Sequence, residues 1–594
     1  MMSTLSQLFG FLKRWQVVLA LITLVAITMR LIPQLRFGVW GNDFGIYYGL
    51  TKTFLETGEF FNPYYGWGSS YNQFPILYVL TAGVHMLTGW DVLFIMPRLI
   101  PIFGGLCVFV FYFIAYELTS DRLKSLLAAG LLSVLPFHVY QTAHVAPLTL
   151  AHFFFALSLL FFIRVRRSHW YALPLVVSTA FLVMTHHLTT YMYVVSLIFI
   201  IFSENATRTQ WTKSFRFDVT YLLLTSAGMF VYWFVVARTV FEGFMVGGLG
   251  LGSIGSFGTV MMYFLGLFAL FVLIVLKRRL GIYTKIVPLR PERCRHLFFI
   301  SLVVLSGIVV AFSFLPFPWE KTAYSLSLTT LPWALPIIVV ISFAVAGFST
   351  TRFMKNGMFI RGWLMGLVLS LVATTLLGSA MEYHRHFEYL MLPVSLIAVH
   401  GIWLFIKDVD FSSLKRLDSL NRRILSRDII YIAIIVVLIV GNGGSTYPSY
   451  QTAITYHEDI TDDNFEAVFW FVENVSVNGT CVASDHRIER IVEAYGFNTT
   501  HNNMSEFWNT TSNKALLEHN ISYVILDSYM VDPKNGVFSY PLHYYMTNDS
   551  IEKFSHAPFV SMFRNETLDE EGLVDHWTEI YWVNLSYLQR QYDW

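Results

Sequence analysis

The sequence predicts an α-helical polytopic membrane protein of about 13 transmembrane helices that ends in a C-terminal outer α/β domain. Three observations lead there. The 594 residues are 55% apolar and only 13% charged, against roughly 25% charged in soluble domains. Apolar runs of spanning length recur through residues 15–444. The remainder is polar and acidic: residues 445–594 hold 7 Lys/Arg against 22 Asp/Glu, whereas residues 1–444 hold 33 against 17. The formal net charge of +1 conceals this split. A soluble enzyme, a disordered chain and a nucleic-acid binder with a basic stripe are excluded.

A span needs about 20 apolar residues in helical form, because hydrocarbon offers no partner to an open backbone. Runs meeting or approaching that length lie near 15–33, 97–118, 123–137, 147–163, 170–185, 188–202, 219–237, 259–276, 297–314, 331–349, 362–378, 389–406 and 429–444. Lys13 and Arg14 precede the first run, which is long for a signal-peptide core and has no small-residue cleavage site after it. It reads as a retained first helix. The apolar segment 74–90 reads as a short helix at the outer surface. Counting it as a span would put 121–124 and every later basic loop on the wrong side.

The distribution of positive charge sets the orientation. With the N-terminus in the cytoplasm, the inner loops contain 26 Lys/Arg. The outer loops contain six: Arg36, Lys52, Arg98, Arg238, Lys321 and Arg385. Arg30 sits at the outer end of the first helix. The chain thus divides into a membrane domain, 1–444, with a long first outer loop at 34–96, and an outer domain, 445–594. The boundary falls at the Gly441-Asn442-Gly443-Gly444 turn.

Modification motifs agree. The outer domain carries nine Asn-x-Ser/Thr sequons, at Asn474, Asn478, Asn498, Asn503, Asn509, Asn520, Asn548, Asn565 and Asn584. The membrane domain has one, Asn205, in a loop assigned inside. Such asparagines are candidates for N-glycosylation on the outer or lumenal side. Of the three cysteines, Cys107, Cys294 and Cys481, only Cys481 lies in the outer domain, which therefore has no internal disulfide. That favours an archaeal or prokaryotic plasma membrane over the endoplasmic reticulum.

Within the outer domain, Asp462-Asp463 are expected to cap a helix over 465–472. A strand follows at 480–483, then a helix near 486–494. A helix near 513–519 precedes a strand at 521–527.

Two places offer chemistry. The first outer loop contains Gly41-Asn42-Asp43-Phe44-Gly45 and, further on, Gln73-Phe74-Pro75. Asp43 follows the first helix closely, where a carboxylate can serve as general base for an acceptor hydroxyl or hold a metal. Its structural alternative is a loop aspartate capping a short helix. The second place is Met381 to Tyr389, at the outer end of the twelfth run. Here Arg385 is flanked by His384 and His386. A membrane-edge arginine has the geometry to clamp a lipid phosphate through two parallel hydrogen bonds. Its alternative is a snorkelling arginine paired with Glu382 or Glu388.

Weaker candidates are Glu320, beside Lys321 in an outer loop, and the histidines His138, His144, His152, His186 and His187. These histidines read first as hydrogen-bonded structural residues. Gly247–Gly258 reads as a flexible outer loop. No Walker loop, zinc signature or nucleophile motif is present, and no metal is assigned.

This layout resembles the GT-C superfamily of membrane glycosyltransferases, which use polyprenyl-phosphate-linked sugars as donors. Asp43 looks like the superfamily's first-loop catalytic acidic residue. Gln73-Phe74-Pro75 with Gly89 and Pro97-Arg98 is similar to its passage into the second helix. His384-Arg385-His386-Phe387 with Pro393 resembles its phosphate-binding late helix. Thirteen helices with an outer C-terminal domain look most like the oligosaccharyltransferase catalytic subunit and its archaeal relatives, where a glutamate in the loop matching Glu320 is essential. Two features depart from that subfamily. Its acceptor-reading Trp-Trp-Asp-Tyr-Gly motif is replaced by Ala483-Ser484-Asp485-His486-Arg487. Its second acidic motif is replaced by Tyr140-Gln141-Thr142-Ala143-His144, which has no carboxylate.

The resemblance implies transfer of a sugar from a polyprenyl (dolichyl-type) phosphate to a glycan, lipid or protein acceptor on the outer face. In that reading Asp43 and Glu320 are catalytic, and Arg385, His384 and His386 bind the donor phosphate. A divergent oligosaccharyltransferase is the alternative, and it implies a divalent metal. A lipid-linked glycan flippase would need charged residues along a path through the helices, and the runs are nearly free of charge. A non-catalytic surface receptor gives no reason for so polar and aromatic a first loop.

Overall fold

The computed structural model describes residues 15–592 apart from 37, 63–67, 69, 207–209, 244–254, 282–290, 313, 315–329, 377–384, 408–426, 448–456, 501, 533–535, 540–541 and 569–570. Among the described residues, ten helices are long and apolar enough to cross a membrane. They include Trp15–Arg36, Val92–Thr119, Pro147–Val165, His187–Ala206, Gly357–Leu376 and His386–Lys407. The pair Arg122–Leu132 and Pro136–Ala143, bent by 60° at its break, makes an eleventh if it is counted as one broken span. The two remaining expected spans, 170–185 and 429–444, are the shorter apolar helices His169–Thr185 and Ile429–Ser445. The segment 74–90, set aside from the spans, is the short helix Ile76–Thr88. The protein is an integral membrane protein by the number and apolarity of these helices.

The bent pair has an identifiable cause. Pro136 opens its second helix, where a residue without an N–H is tolerated. The gap is filled by Arg30, which is fully buried in the last third of helix Trp15–Arg36. Its guanidinium donates to the Ser133 carbonyl at 3.4 Å, to Thr142 Oγ1 at 2.7 Å and to the Ala26 carbonyl at 2.8 Å. Its Nη2 lies 2.7 Å from His138 Nδ1. Four acceptors thus satisfy a cation that the membrane interior would otherwise penalise heavily.

The chain packs as two compact units. One comprises Met1–Arg30, Phe103–Thr142 and Leu148–Tyr447; the other comprises Leu31–Ile102, Ala143–Pro147 and Pro448–Trp594. In the first, His386–Lys407 is the most deeply packed span. It lies close against Thr330–Phe348, because a Cβ on Gly401 would sit 2.0 Å from the Phe343 carbonyl oxygen. Small residues permit such approach between spans.

The second unit joins the first outer loop, which the sequence grouped with residues 1–444, to the C-terminal part of the chain. Strand β1 (Val39–Trp40) pairs antiparallel with β2 (Asp459–Ile460). A five-stranded sheet is built from β3 (Cys481–Ala483), β4 (Asn498–Thr499), β5 (Tyr523–Asp527), β8 (Phe559–Leu568) and β9 (Val574–Val583). Its order is β4-β3-β5-β9-β8; β4, β3 and β5 run parallel, and β9 and β8 run antiparallel to β5 and to each other, respectively. A small hairpin, β6 (Val537–Ser539) with β7 (Leu542–Tyr544), lies outside it. Its core gathers Trp508, Phe507, Leu516, Val524, Leu526 and Phe554.

The expected helix over 465–472 is Asp462–Asn474, but its cap is one residue earlier. Thr461 accepts from the Asn464 N–H, and the Asn464 side chain answers the Thr461 N–H, closing a capping box. Asp462 and Asp463 instead occupy the first turn, where negative charge complements the helix dipole.

Candidate active site

Asp43 is held by a loop tied down on both sides. The Gly41 N–H donates to the Glu458 carbonyl at 3.0 Å, and the Val145 N–H donates to the Trp40 carbonyl at 3.1 Å. Asp43 is the N-cap residue of helix Phe44–Thr57 by backbone position, yet its side chain makes no capping hydrogen bond. The expected structural alternative therefore describes its backbone and not its carboxylate. Tyr71 Oη donates to Asp43 Oδ2 at 2.9 Å. His486 Nε2 lies 2.9 Å from Asp43 Oδ1. With Asp43 ionised the carboxylate only accepts, so the imidazole presents Nε2–H. The Asp43 side chain keeps one-third of its surface exposed while His486 is buried.

Each partner is placed by its own element. Tyr71 opens a 3₁₀ turn, Tyr71–Gln73, and its ring packs edge-on against Tyr47 at 5.4 Å. His486 begins helix His486–Glu493 just past the end of β3. That is where open α/β sheets present ligand sites, outside the carboxyl ends of their parallel strands. Asp485 caps this helix by accepting from the Arg487 N–H at 2.9 Å. The fully buried Arg487 donates to Asp485 and, at 2.7 Å, to Asp527 at the end of β5. Burial raises the Asp527 carboxyl, but Arg487 and His576 more than reverse this and hold it below the usual carboxylate range.

His144, a weak candidate in the sequence, pairs through Nε2 with Glu458, and both side chains are largely buried. Glu458 directly precedes β2, so this pair sits at the base of the Asp43 loop. Sequence reasoning missed Glu458 and His486. The signal for His486 was its place in Ala483–Arg487, the segment singled out as replacing an acceptor motif. Nothing local marked Glu458.

The other unit contains Arg385. Its Nη1 donates to Gln141 Oε1 at 2.9 Å. Gln141 belongs to the segment that stands in place of the second acidic motif. His386 is fully buried and its Nε2 lies 2.9 Å from Ser370 Oγ. That contact ties it to the neighbouring span Gly357–Leu376. Phe387 stacks on Phe137 at 5.2 Å, and Tyr389 stacks on His152 at 4.5 Å. His138 meets Arg30, and His186 Nδ1 meets Thr189 Oγ1 at 2.8 Å. These histidines are hydrogen-bonded within the helix packing. Glu320, His384 and residues 247–254 of the glycine-rich loop lie outside the described residues.

Among the described residues, no group of three or more His, Cys, Asp or Glu side chains is placed to hold a metal ion. The partners seen at Asp43 are a phenol and an imidazole.

No protein-family model matches the chain, and no curated protein matches it. Among solved structures, the chain is similar to ArnT from Cupriavidus metallidurans bound to undecaprenyl phosphate, with 12% identity, a TM-score of 0.38, and coverage of 96% of this chain and 98% of that chain.

Proposed function

We propose that this protein is a membrane glycosyltransferase that moves a sugar from a polyprenyl phosphate donor to a hydroxyl acceptor on the outer face. One observation supports this most: an aspartate at a helix start whose carboxylate is withheld from capping, gripped by Tyr71 and His486, and left part-exposed. In this reading Asp43 takes the proton of the acceptor hydroxyl as that oxygen bonds to the sugar's anomeric carbon. The bond from that carbon to the phosphate oxygen breaks, and the polyprenyl phosphate leaves with the electron pair. Arg385 stabilises the charge growing on the leaving phosphate. Gln141 orients that guanidinium. Glu320 orients the acceptor.

The measurement that tests this is transfer by the purified full chain from a polyprenyl-phosphate sugar, with Asp43→Asn beside it. Loss of a general base lowers the rate by about 10²–10⁴-fold. Unchanged turnover in Asp43→Asn at normal expression overturns the assignment. In cells lacking the protein, surface or lipid-linked glycans one sugar shorter support the monosaccharide transferase.

A second reading, a divergent oligosaccharyltransferase, draws support from the contact of His486 with Asp43, since His486 lies in the segment standing where that subfamily reads its acceptor. Bare asparagines with a full-length lipid-linked glycan accumulating would favour it.

A further inference from the structure

The sheet of the second unit separates two kinds of sequon. Its parallel strands β3, β4 and β5 all start at one rim. Cys481 is level with Asn498, and the Ser522 N–H donates to the Cys481 carbonyl at 2.9 Å. The Val583 N–H donates to the Ser522 carbonyl at 2.9 Å, so β9 ends at the same rim. A Cβ on Gly496 would lie 4.0 Å from Val477, which brings the loop before β4 beside the loop before β3. Asn478 precedes β3, Asn498 opens β4 and Asn520 precedes β5. Asn474 ends the helix that leads into this rim. All four are exposed. Asn520 has a φ of +51°, which puts it at the tip of its turn.

The opposite rim carries Asp485, His486 and Asp527, and with them Asn565, level with Thr578 and hence with Asp527. At the first rim Asn474 Nδ2 donates to one backbone carbonyl, that of Trp470, at 2.8 Å; here the sequon amide is held by two carboxylates. Asn565 Nδ2 donates to Asp463 Oδ1 at 3.1 Å and to Glu466 Oε2 at 2.6 Å. Thr567, the hydroxyl residue of the same sequon, also donates to Asp463.

We propose that Asn474, Asn478, Asn498 and Asn520 carry N-linked glycans that cover the amino-terminal rim of the sheet, and that Asn565 carries none. The donor is a lipid-phosphate-linked oligosaccharide acted on by an N-glycosylating enzyme of the cell. The asparagine amide nitrogen bonds to the sugar's anomeric carbon and releases one proton. The carbon's bond to the lipid phosphate oxygen breaks, and the lipid phosphate leaves. At Asn565 both amide protons are already given to carboxylates, so linkage would break one of those bonds and crowd a half-buried site. Glycans on these four asparagines leave the rim that holds His486 uncovered by them. The proposal does not rest on the transferase reading, since it concerns what is done to this chain.

The test is glycopeptide mass spectrometry on the full chain purified from the membranes of the cells that make it. Glycan mass is expected on peptides containing Asn474, Asn478, Asn498 and Asn520, and none on those containing Asn565 or the buried Asn205. The triple variant Asn478→Gln, Asn498→Gln, Asn520→Gln is expected to run faster on a denaturing gel, by the mass of three glycans. Glycan on Asn565, or bare peptides at two or more of the four rim positions, overturns the proposal.

Discussion

The two oxygens of Asp43 have different partners, and the difference assigns work to each. Tyr71 Oη and His486 Nε2 approach Oδ2 and Oδ1, both at 2.9 Å. Hydrogen bonds to a charged group contribute about 1.5–3 kcal/mol, which is roughly 10–100-fold in rate if they act by holding the carboxylate in its reactive orientation. Tyr71→Phe and His486→Gln should therefore each lower kcat by about that factor while leaving expression intact. Steady-state kinetics on the purified variants checks this. Wild-type kcat in both would mean Asp43 needs neither partner. Asp43 itself was legible, because an acidic residue soon after a first span stands out in a chain with so few charges. His486 was half legible, noticed for the motif it replaces and not for what it touches. Its partner lies 443 positions earlier, a separation that no local pattern encodes.

At the scale of elements, apolar length and composition marked every spanning run as a helix, because hydrocarbon leaves the backbone no other hydrogen-bonded form. They did not mark the break at Ser133–Leu135, whose stability depends on Arg30 arriving from another helix. Nor did they mark β8 and β9. Strand β8 is an edge strand with only Phe559 buried, so its sequence shows no apolar alternation. Elsewhere the packing is tight: a Cβ on Gly45 would sit 2.3 Å from the Arg490 carbonyl carbon, so helix Phe44–Thr57 rides directly on helix His486–Glu493. The carboxyl end of the sheet is secured by His576, which meets Asp463 at 3.0 Å and Asp527 at 3.6 Å. Burial pulls the His576 imidazolium down, but Asp527 and Asp463 raise it further, so its folded value lies above the ordinary one. A raised value contributes stability that is fully present below about pH 6.5 and is lost as pH rises through the folded value. His576→Gln should cost thermal stability at pH 6 and converge on wild type at alkaline pH. Glu489, pushed up to about 8 by burial against the opposing pull of Arg490, adds a slope of the same sign. The difference between variant and wild-type melting curves, rather than either slope, therefore isolates His576. A difference that is constant from pH 5 to 9 would show that His576 acts through packing alone.

For the whole molecule, charge is the quantity that organises everything else. A basic membrane part and an acidic C-terminal part are joined in one chain. Cationic loops stay on the cytoplasmic side during insertion, and that bias predicts an inner N-terminus and an outer C-terminal domain. The native cysteines favour a direct test. Cys107 and Cys294 are buried, and Cys481 is only part-exposed in its strand. Single cysteines introduced at exposed positions therefore give a new signal over a low background. Gln210→Cys, between spans His187–Ala206 and Phe215–Val235, should react with a membrane-impermeant maleimide only after the cells are permeabilised. Lys514→Cys, on the short helix Lys514–Glu518, should react in intact cells. Its lost ion pair with Glu518 is a surface contact of little energetic weight. The reverse pattern would place Asp43, His486 and every rim asparagine on the cytoplasmic side. That outcome would remove the outer-face transferase and the glycan cover together, whereas the expected pattern leaves each to stand on its own test.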